Sequence, residues 1–173
     1  VSSIGDSAFQ GCKSLTSVVI PDSVTSSGNY TFYGCSALMS VVIPDSVTEI
    51  GILAFDGCTE LKSLVLSDNL SNIDGWLTQC YSLESIYIPE SVLSIESEAF
   101  FDCDNIKEIV MTDNARHIGD YAFASCDNLR YFKVVNNLTD YADNAFDGCY
   151  YFNYDAVDIA VEDNYGMIIG III

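Results

Sequence analysis

The chain is poor in basic residues. Only 6 of its 173 residues are Lys or Arg, against 25 Asp or Glu, which gives a formal net charge of −19 and a pI of about 4.1. Such a charge repels a phosphate backbone and an anionic membrane surface. We therefore expect no nucleic-acid partner, and membrane contact only through a possible anchor outside this fragment.

Residues that commonly carry catalysis or bind metals are few. The only histidine, His117, is interpreted as a solvated loop residue, and nucleophilic catalysis by Ser or Cys usually needs an oriented base. The cysteines form no CxxC pair, and one histidine cannot build a His-rich zinc site. The eleven glycines form no phosphate-binding loop. We expect no enzyme activity, no cofactor, no metal site and no small-molecule substrate.

Long apolar runs are also absent. The apolar segment at the carboxy terminus, GMIIGIII at 166–173, is far shorter than the roughly 20 residues that a membrane-spanning helix needs. We interpret residues 161–173 as a degenerate terminal turn, a cap or a truncated anchor.

The cysteines are evenly spaced. They stand at Cys12, Cys35, Cys58, Cys80, Cys103, Cys126 and Cys149, so the intervals are 23, 23, 22, 23, 23 and 23 residues. A disulfide framework has uneven spacing, whereas an even one indicates a single structural position copied in every repeat. We expect all seven thiols to be reduced and buried.

Apolar residues recur in phase with the cysteines. Three, six and eight residues after each of the first six cysteines stand apolar residues, as in Leu38, Val41 and Ile43, which makes an LxxLxL pattern. The alternation over its last three residues predicts a short β-strand with one buried face. Proline follows at Pro21, Pro44 and Pro89 and ends the strand.

An Ala-Phe pair before the cysteine, as in IGDSAFQGC, predicts a single helical turn. Glycine at the next-to-last position can adopt the left-handed conformation that ends it. Strand and short helix then alternate. We predict a repeat solenoid of leucine-rich-repeat type (α/β), with a parallel β-sheet on one face, short helical turns on the other and about seven 23-residue repeats over residues 1–160.

Two repeats depart from the pattern. The second has Ser27 in place of Ile and Thr31 in place of Ala, which predicts a looser turn. The fourth lacks one residue and has Trp76 and Leu77 at the Ala-Phe positions. Trp76 indicates either a kink or register correction, or an exposed aromatic contact for a partner.

The combination of LxxLxL, IPDSV and IGxxAFxGC at a 23-residue period resembles the BspA-type leucine-rich repeats. The resemblance implies a secreted or cell-surface, adhesin-like protein that binds a protein ligand on a host or neighbouring cell. The alternative that we keep open is a passive structural stalk or spacer that carries another domain.

The outward strand positions change character along the chain. Five and seven residues after cysteine, the early repeats have Ser and Val, while the later ones introduce aromatic and charged residues. Tyrosine is favoured at protein-binding surfaces. The predicted ligand-binding residues are Tyr87, Glu108, Tyr131, Lys133 and Tyr154.

Two weaker signals stay open. An acidic column follows the strands, and could hold a divalent cation or form a solvated turn; it comprises Asp22, Asp45, Asp68, Glu90 and Asp113. Sequons at Asn29, Asn69 and Asn137 matter only in a eukaryotic secretory route.

Overall fold

The fold is a parallel β-solenoid. The structure, a computed structural model, describes residues 1–112, 114–133, 140–150, 160–162 and 168–170. In chain order the strands are β1 (Ser3–Ile4), β2 (Ser26–Ser27), β3 (Ser40–Val42), β4 (Glu49–Ile50), β5 (Ser63–Val65), β6 (Asn72–Ile73), β7 (Ser85–Tyr87), β8 (Ser94–Ile95), β9 (Glu108–Val110), β10 (His117–Ile118), β11 (Tyr131–Lys133), β12 (Asp140–Tyr141), β13 (Ala160–Glu162) and β14 (Ile168–Gly170).

Each turn contributes two short strands to two separate parallel series. The three-residue strands that follow the cysteines pair as β3-β5 and β7-β9-β11. The two-residue strands that precede the cysteines pair as β1-β2-β4 and β6-β8-β10-β12. The predicted parallel sheet is therefore confirmed, with a break between β5 and β7 in the first series and between β4 and β6 in the second.

The core is one continuous column of apolar side chains. Middle residues of the three-residue strands, such as Val41, Leu64, Ile86 and Ile109, are buried, while their neighbours point to solvent. Phenylalanine rings of successive turns stack with centroids 5.2 Å apart in Phe9–Phe32, Phe32–Phe55 and Phe100–Phe123. Each turn thus covers the apolar edge of the preceding one, as the stacking of short repeats requires.

The predicted helical turn is not found among the described residues. Left-handed residues, with φ between 53° and 80°, stand five and one positions before cysteine, and a residue in that region interrupts a right-handed helix. They are Ser7, Tyr30, Leu53, Glu98 and Tyr121 at the first position, and Gly11, Gly34, Gly57, Gln79, Asp102, Ser125 and Gly148 at the second. The left-handed role that we predicted for the glycines is confirmed.

These turns bond alternately to themselves and to the next repeat. In the first repeat, the odd-numbered amides from Ser7 to Gly11 donate to carbonyls of the second repeat, at 2.7–2.8 Å. The even-numbered amides from Ala8 to Cys12 donate to carbonyls three residues earlier. Because half of the amides bond across repeats, the turn carries a third ladder along the solenoid, which an α-helix would not provide.

The cysteines form a ladder of buried thiols with a role that their spacing alone does not reveal. Each Sγ from Cys35 onwards donates to a carbonyl in the preceding repeat, for example Cys35 to Phe9 O at 3.1 Å and Cys103 to Leu77 O at 3.0 Å. All seven thiols are free, as predicted. The prediction that all are buried is wrong at Cys12, which is exposed, and at Cys149, which is half-buried.

The missing residue of the fourth repeat lies in its turn. Ile73 is seven residues before Cys80, whereas the equivalent isoleucines, such as Ile50 and Ile95, are eight before theirs. Trp76 is buried, 6.2 Å from the Phe55 ring and tilted by 57°, so the exposed-aromatic alternative is wrong. The indole interrupts the phenylalanine stack and fills the core where the shortened turn would leave a void.

The described chain holds about six solenoid turns. The seventh repeat, keyed on Cys149, continues into residues 151–159, which lie outside the described residues. Strands β13 and β14 pair in antiparallel register, Ala160 opposite Gly170, unlike all the earlier strands described. No helix in the described part of the chain has the length and apolar character to cross a membrane. Whether residues 161–173 are a turn, a cap or an anchor stays a prediction.

Replacing Ser27 with isoleucine is expected to stabilise the fold. Ser27 pairs in register with Ile4 and Ile50, and its buried Oγ has no hydrogen-bond partner. Ser27→Ile removes an unpaired hydroxyl and adds apolar burial, so we expect unfolding to cost about 1–2 kcal/mol more. Urea unfolding followed by circular dichroism measures this, with Thr31→Ala as the control, because the Thr31 hydroxyl already donates to Gly28 O at 2.6 Å. A lower midpoint for Ser27→Ile would contradict it.

Candidate protein-binding surface

The exposed face of the three-residue strands carries the predicted site. Ser85, Glu108 and Tyr131 are register partners on adjacent strands, so they form one row across β7, β9 and β11. All three are exposed, and 67% of Tyr131 is accessible. Because strands pair about 4.8 Å apart, the Glu108 carboxylate and the Tyr131 ring belong to one continuous surface.

A second row runs beside the first. Tyr87 is the register partner of Val110, and Val110 that of Lys133. Tyr87 is 56% accessible, and the backbone places Lys133 in the same row two strands away. The structure therefore brings Tyr87, Glu108, Tyr131 and Lys133 to one part of the sheet, whereas Tyr154 lies outside the described residues.

Two charged residues beside this surface escaped the sequence analysis. Lys107 Nζ lies 2.8 Å from Glu84 Oε2, and both side chains are exposed. The Lys107 hydrogen bond and charge lower the pKa of the Glu84 carboxyl. Residues one repeat apart lie side by side in a parallel solenoid. The 23-residue spacing of these opposite charges could therefore have predicted the salt bridge.

The turn face holds a groove at the shortened fourth repeat. Its volume is about 530 Å³, and Asp74, Gly75, Glu96 and Glu98 line it with Ile52 at one side. Partial burial raises the pKa of Asp74, and the nearby Glu96 and Glu49 carboxylates raise it further, against a hydrogen bond from Asn72 that lowers it. The missing residue thus leaves an acidic indentation on this face.

The single histidine pairs with an aspartate of the neighbouring repeat. His117 is in strand β10, not in a loop as predicted, and its Nδ1 is 3.0 Å from Asp140 Oδ2 on the neighbouring strand. The pair is solvent-exposed and bridges two repeats. Its evident contribution is to join β10 and β12.

The acidic column offers no assembled metal site in the part that the structure describes. No group of three or more His, Cys, Asp or Glu residues there is arranged to hold an ion. Asp45 instead accepts a hydrogen bond from the Asp68 amide at 3.0 Å, which ties two turns together. Asp113 lies outside the described residues.

Comparison with known structures agrees with this architecture. A leucine-rich repeat protein from T. pallidum is 30% identical, with a TM-score of 0.81 over 90% of this chain and 73% of its own. A leucine-rich repeat protein from Eubacterium ventriosum ATCC 27560 is 24% identical, with a TM-score of 0.81 over 96% of this chain. The chain spans 47% of the length of that second protein. No curated protein matches the sequence.

The sequence profile of the family gives the assignment. The BspA type leucine rich repeat region matches six copies, over residues 1–77 and 28–153. These ranges include every cysteine of the ladder and both strand series of the solenoid. The chain therefore belongs to the BspA-type leucine-rich repeat family.

Proposed function

We propose that this chain is a protein-binding module of a secreted or cell-surface, adhesin-like protein, and that its ligand contacts the carboxy-terminal half of the sheet face. The observation that carries the proposal is the change in the two outward rows. Ser and Val at the register positions of β3 and β5 give way to Tyr87, Glu108 and Tyr131 on β7 to β11.

Stacking of the repeats does not require this change. The early strands form the same register with small side chains, and Tyr87 and Tyr131 leave most of their surface in solvent. An exposed tyrosine offers a large rigid contact area with a hydrogen-bonding tip, and such residues often supply most of the binding energy. The salt bridge between Glu84 and Lys107 adds a charged border.

The surface suits a protein better than a small molecule. It is an open sheet, and binding of a small molecule usually relies on a concave pocket that encloses it. Solenoids of this kind are typically non-enzymatic scaffolds whose extended face contacts other proteins. The ligand that we propose is a protein on a host or neighbouring cell.

The test is a paired substitution within the surface. Tyr131→Ser with Lys133→Val restores the small side chains of the early repeats. Against a panel of purified host-surface and bacterial-surface proteins, we expect the best binder to lose affinity by about 30-fold, the equivalent of about 2 kcal/mol. The thermal midpoint should stay nearly unchanged because Tyr131 is exposed and both positions alternate with the buried Phe132 along β11.

A matched control removes exposed tyrosines from elsewhere. Tyr121→Ser with Tyr141→Ser changes two exposed rings outside the three-residue strands and should leave the affinity within about twofold. If both pairs weaken binding equally, or if no panel protein binds above background, the proposal fails and the stalk alternative gains.

A further inference from the structure

A groove borders the sheet in the amino-terminal half of the solenoid. It lies where strands β3 and β5 end and the following turns begin, and its volume is about 560 Å³. Its lining combines exposed valines with carboxylates from successive repeats: Val42, Val65, Pro44, Asp22, Asp45 and Asp68. We name this surface the valine-aspartate groove.

The apolar side of the groove is unusually exposed. Val42 and Val65 are register partners that leave 60% and 51% of their surface in solvent, and Val19 extends the row with 90%. The neighbouring outward row on the same strands is serine, at Ser40 and Ser63. The sheet therefore tolerates polar residues at its outward positions, and stability alone does not require valine there. The valines form a contiguous exposed apolar stripe.

The opposite side of the groove is uniformly negative. Asp22, Asp45 and Asp68 are exposed, one per repeat, and none makes an ion pair with a cationic side chain in the described chain. With a net charge of −19, the protein attracts cationic partners from a distance. These three carboxylates lie beside the valine stripe, so they favour binding of a cationic partner there.

The spacing of the two rows selects the shape of the partner. Both rows repeat at about 4.8 Å, the distance between neighbouring strands. An α-helix along the solenoid axis presents side chains every turn of about 5.4 Å, a mismatch of roughly 1.2 Å over three repeats. An extended strand presents them about every 6.7 Å, and its mismatch is roughly 4 Å.

We propose that the valine-aspartate groove binds a basic amphipathic α-helix of a partner protein, with its apolar stripe on the valines and its Lys or Arg flank on the aspartates. This surface is separate from the tyrosine-bearing half of the sheet, so it does not rest on the function proposed above. The partner is defined by its charge, its helical period and its apolar face.

The test uses synthetic peptides of leucine and lysine in equal composition. One places leucine at helical spacing, and the other alternates leucine and lysine at strand spacing. Fluorescence anisotropy against the full chain at physiological ionic strength should give the helical peptide at least about tenfold higher affinity. Equal affinity for the two peptides would overturn the helical assignment.

Variants with matched charge separate the groove from general attraction. The triple substitution Asp22→Asn, Asp45→Asn and Asp68→Asn should weaken binding of the helical peptide by at least about tenfold. The control triple Asp120→Asn, Asp143→Asn and Asp147→Asn removes the same charge from exposed positions in other turns and should change it by less than about twofold.

The apolar contact and the independence of the site are checked separately. Val42→Ser with Val65→Ser should weaken binding of the helical peptide by about tenfold without lowering the thermal midpoint by more than a few degrees. The Tyr131→Ser, Lys133→Val pair should leave the affinity for this peptide unchanged. Equal losses from the two aspartate triples, or no loss from the valine pair, would overturn the proposal.

Discussion

Cys103→Asp is expected to prevent stable folding. Cys103 is fully buried between the thiols of the adjacent repeats, and its Sγ donates to Leu77 O at 3.0 Å. A carboxylate there would lie in an apolar column and face a carbonyl that it cannot hydrogen-bond while ionised. We expect a loss of at least about 4 kcal/mol, a large part of the total stability of a domain this size.

The same substitution at Cys12 is the matched control. Cys12 holds the equivalent position in the first repeat, but it is exposed. Cys12→Asp should change stability by no more than about 0.5 kcal/mol, while Cys103→Ala should cost about 1–2 kcal/mol for the small cavity and the lost S–H bond. Urea unfolding of the three variants provides the measurement. Similar losses at Cys12 and Cys103 would mean that the ladder is not the buried element described above.

Alkaline pH is expected to unfold the protein through the same thiols. Burial raises the pKa of Cys58 from 9.0 to about 12, with the neighbouring Cys35 as a further cause, and it raises the pKa values of Cys103 and Cys126 well above 9.0. Below pH 9 the thiols are protonated in both states. Above it the unfolded chain releases protons that the native state retains, so stability falls as the pH rises towards the native pKa values.

The size of this effect follows from the linkage. Each thiol that keeps its proton in the native state lowers the free energy of unfolding by about 1.4 kcal/mol per pH unit. The three thiols together therefore lower it by about 4 kcal/mol per unit above pH 9. We expect the free energy of unfolding to fall steadily as the pH rises above 9. Urea unfolding at successive pH values gives the free energy of unfolding against pH. In Cys103→Ala one thiol is removed, so this dependence should be shallower by the contribution of about one proton. An unchanged slope in that variant would refute the thiol origin of the transition.

Several local features were predictable because each repeat encodes them within a few residues. The alternation around Val41 and Leu64 predicted the strands Ser40–Val42 and Ser63–Val65, and glycine before cysteine predicted a left-handed residue. The outward position of Tyr87, Glu108 and Tyr131 is likewise confirmed, because side chains alternate along a strand. Their role in binding stays a prediction.

Other features depend on what lies in the neighbouring repeat. The Ala-Phe turn looked helical, yet its amides bond to the next turn, and this alternative exists only once the repeats are stacked. Trp76 was ambiguous because its direction is set by the space left by the missing residue. The valine-aspartate groove was missed because its two sides come from three repeats.

The sequence by itself determined the solenoid, its 23-residue period, the parallel pairing and the burial of the central thiols, because a repeated pattern of apolar residues can bury its edge only by stacking on copies of itself. Only the tertiary structure decided the conformation of the turns, the hydrogen bonds of the cysteine ladder, the break in both sheets beside the shortened repeat and the shape of the exposed face. These features depend on distances between residues in successive repeats, more than 20 positions apart. The repeat spacing in the sequence indicates which residues are neighbours but does not give those distances.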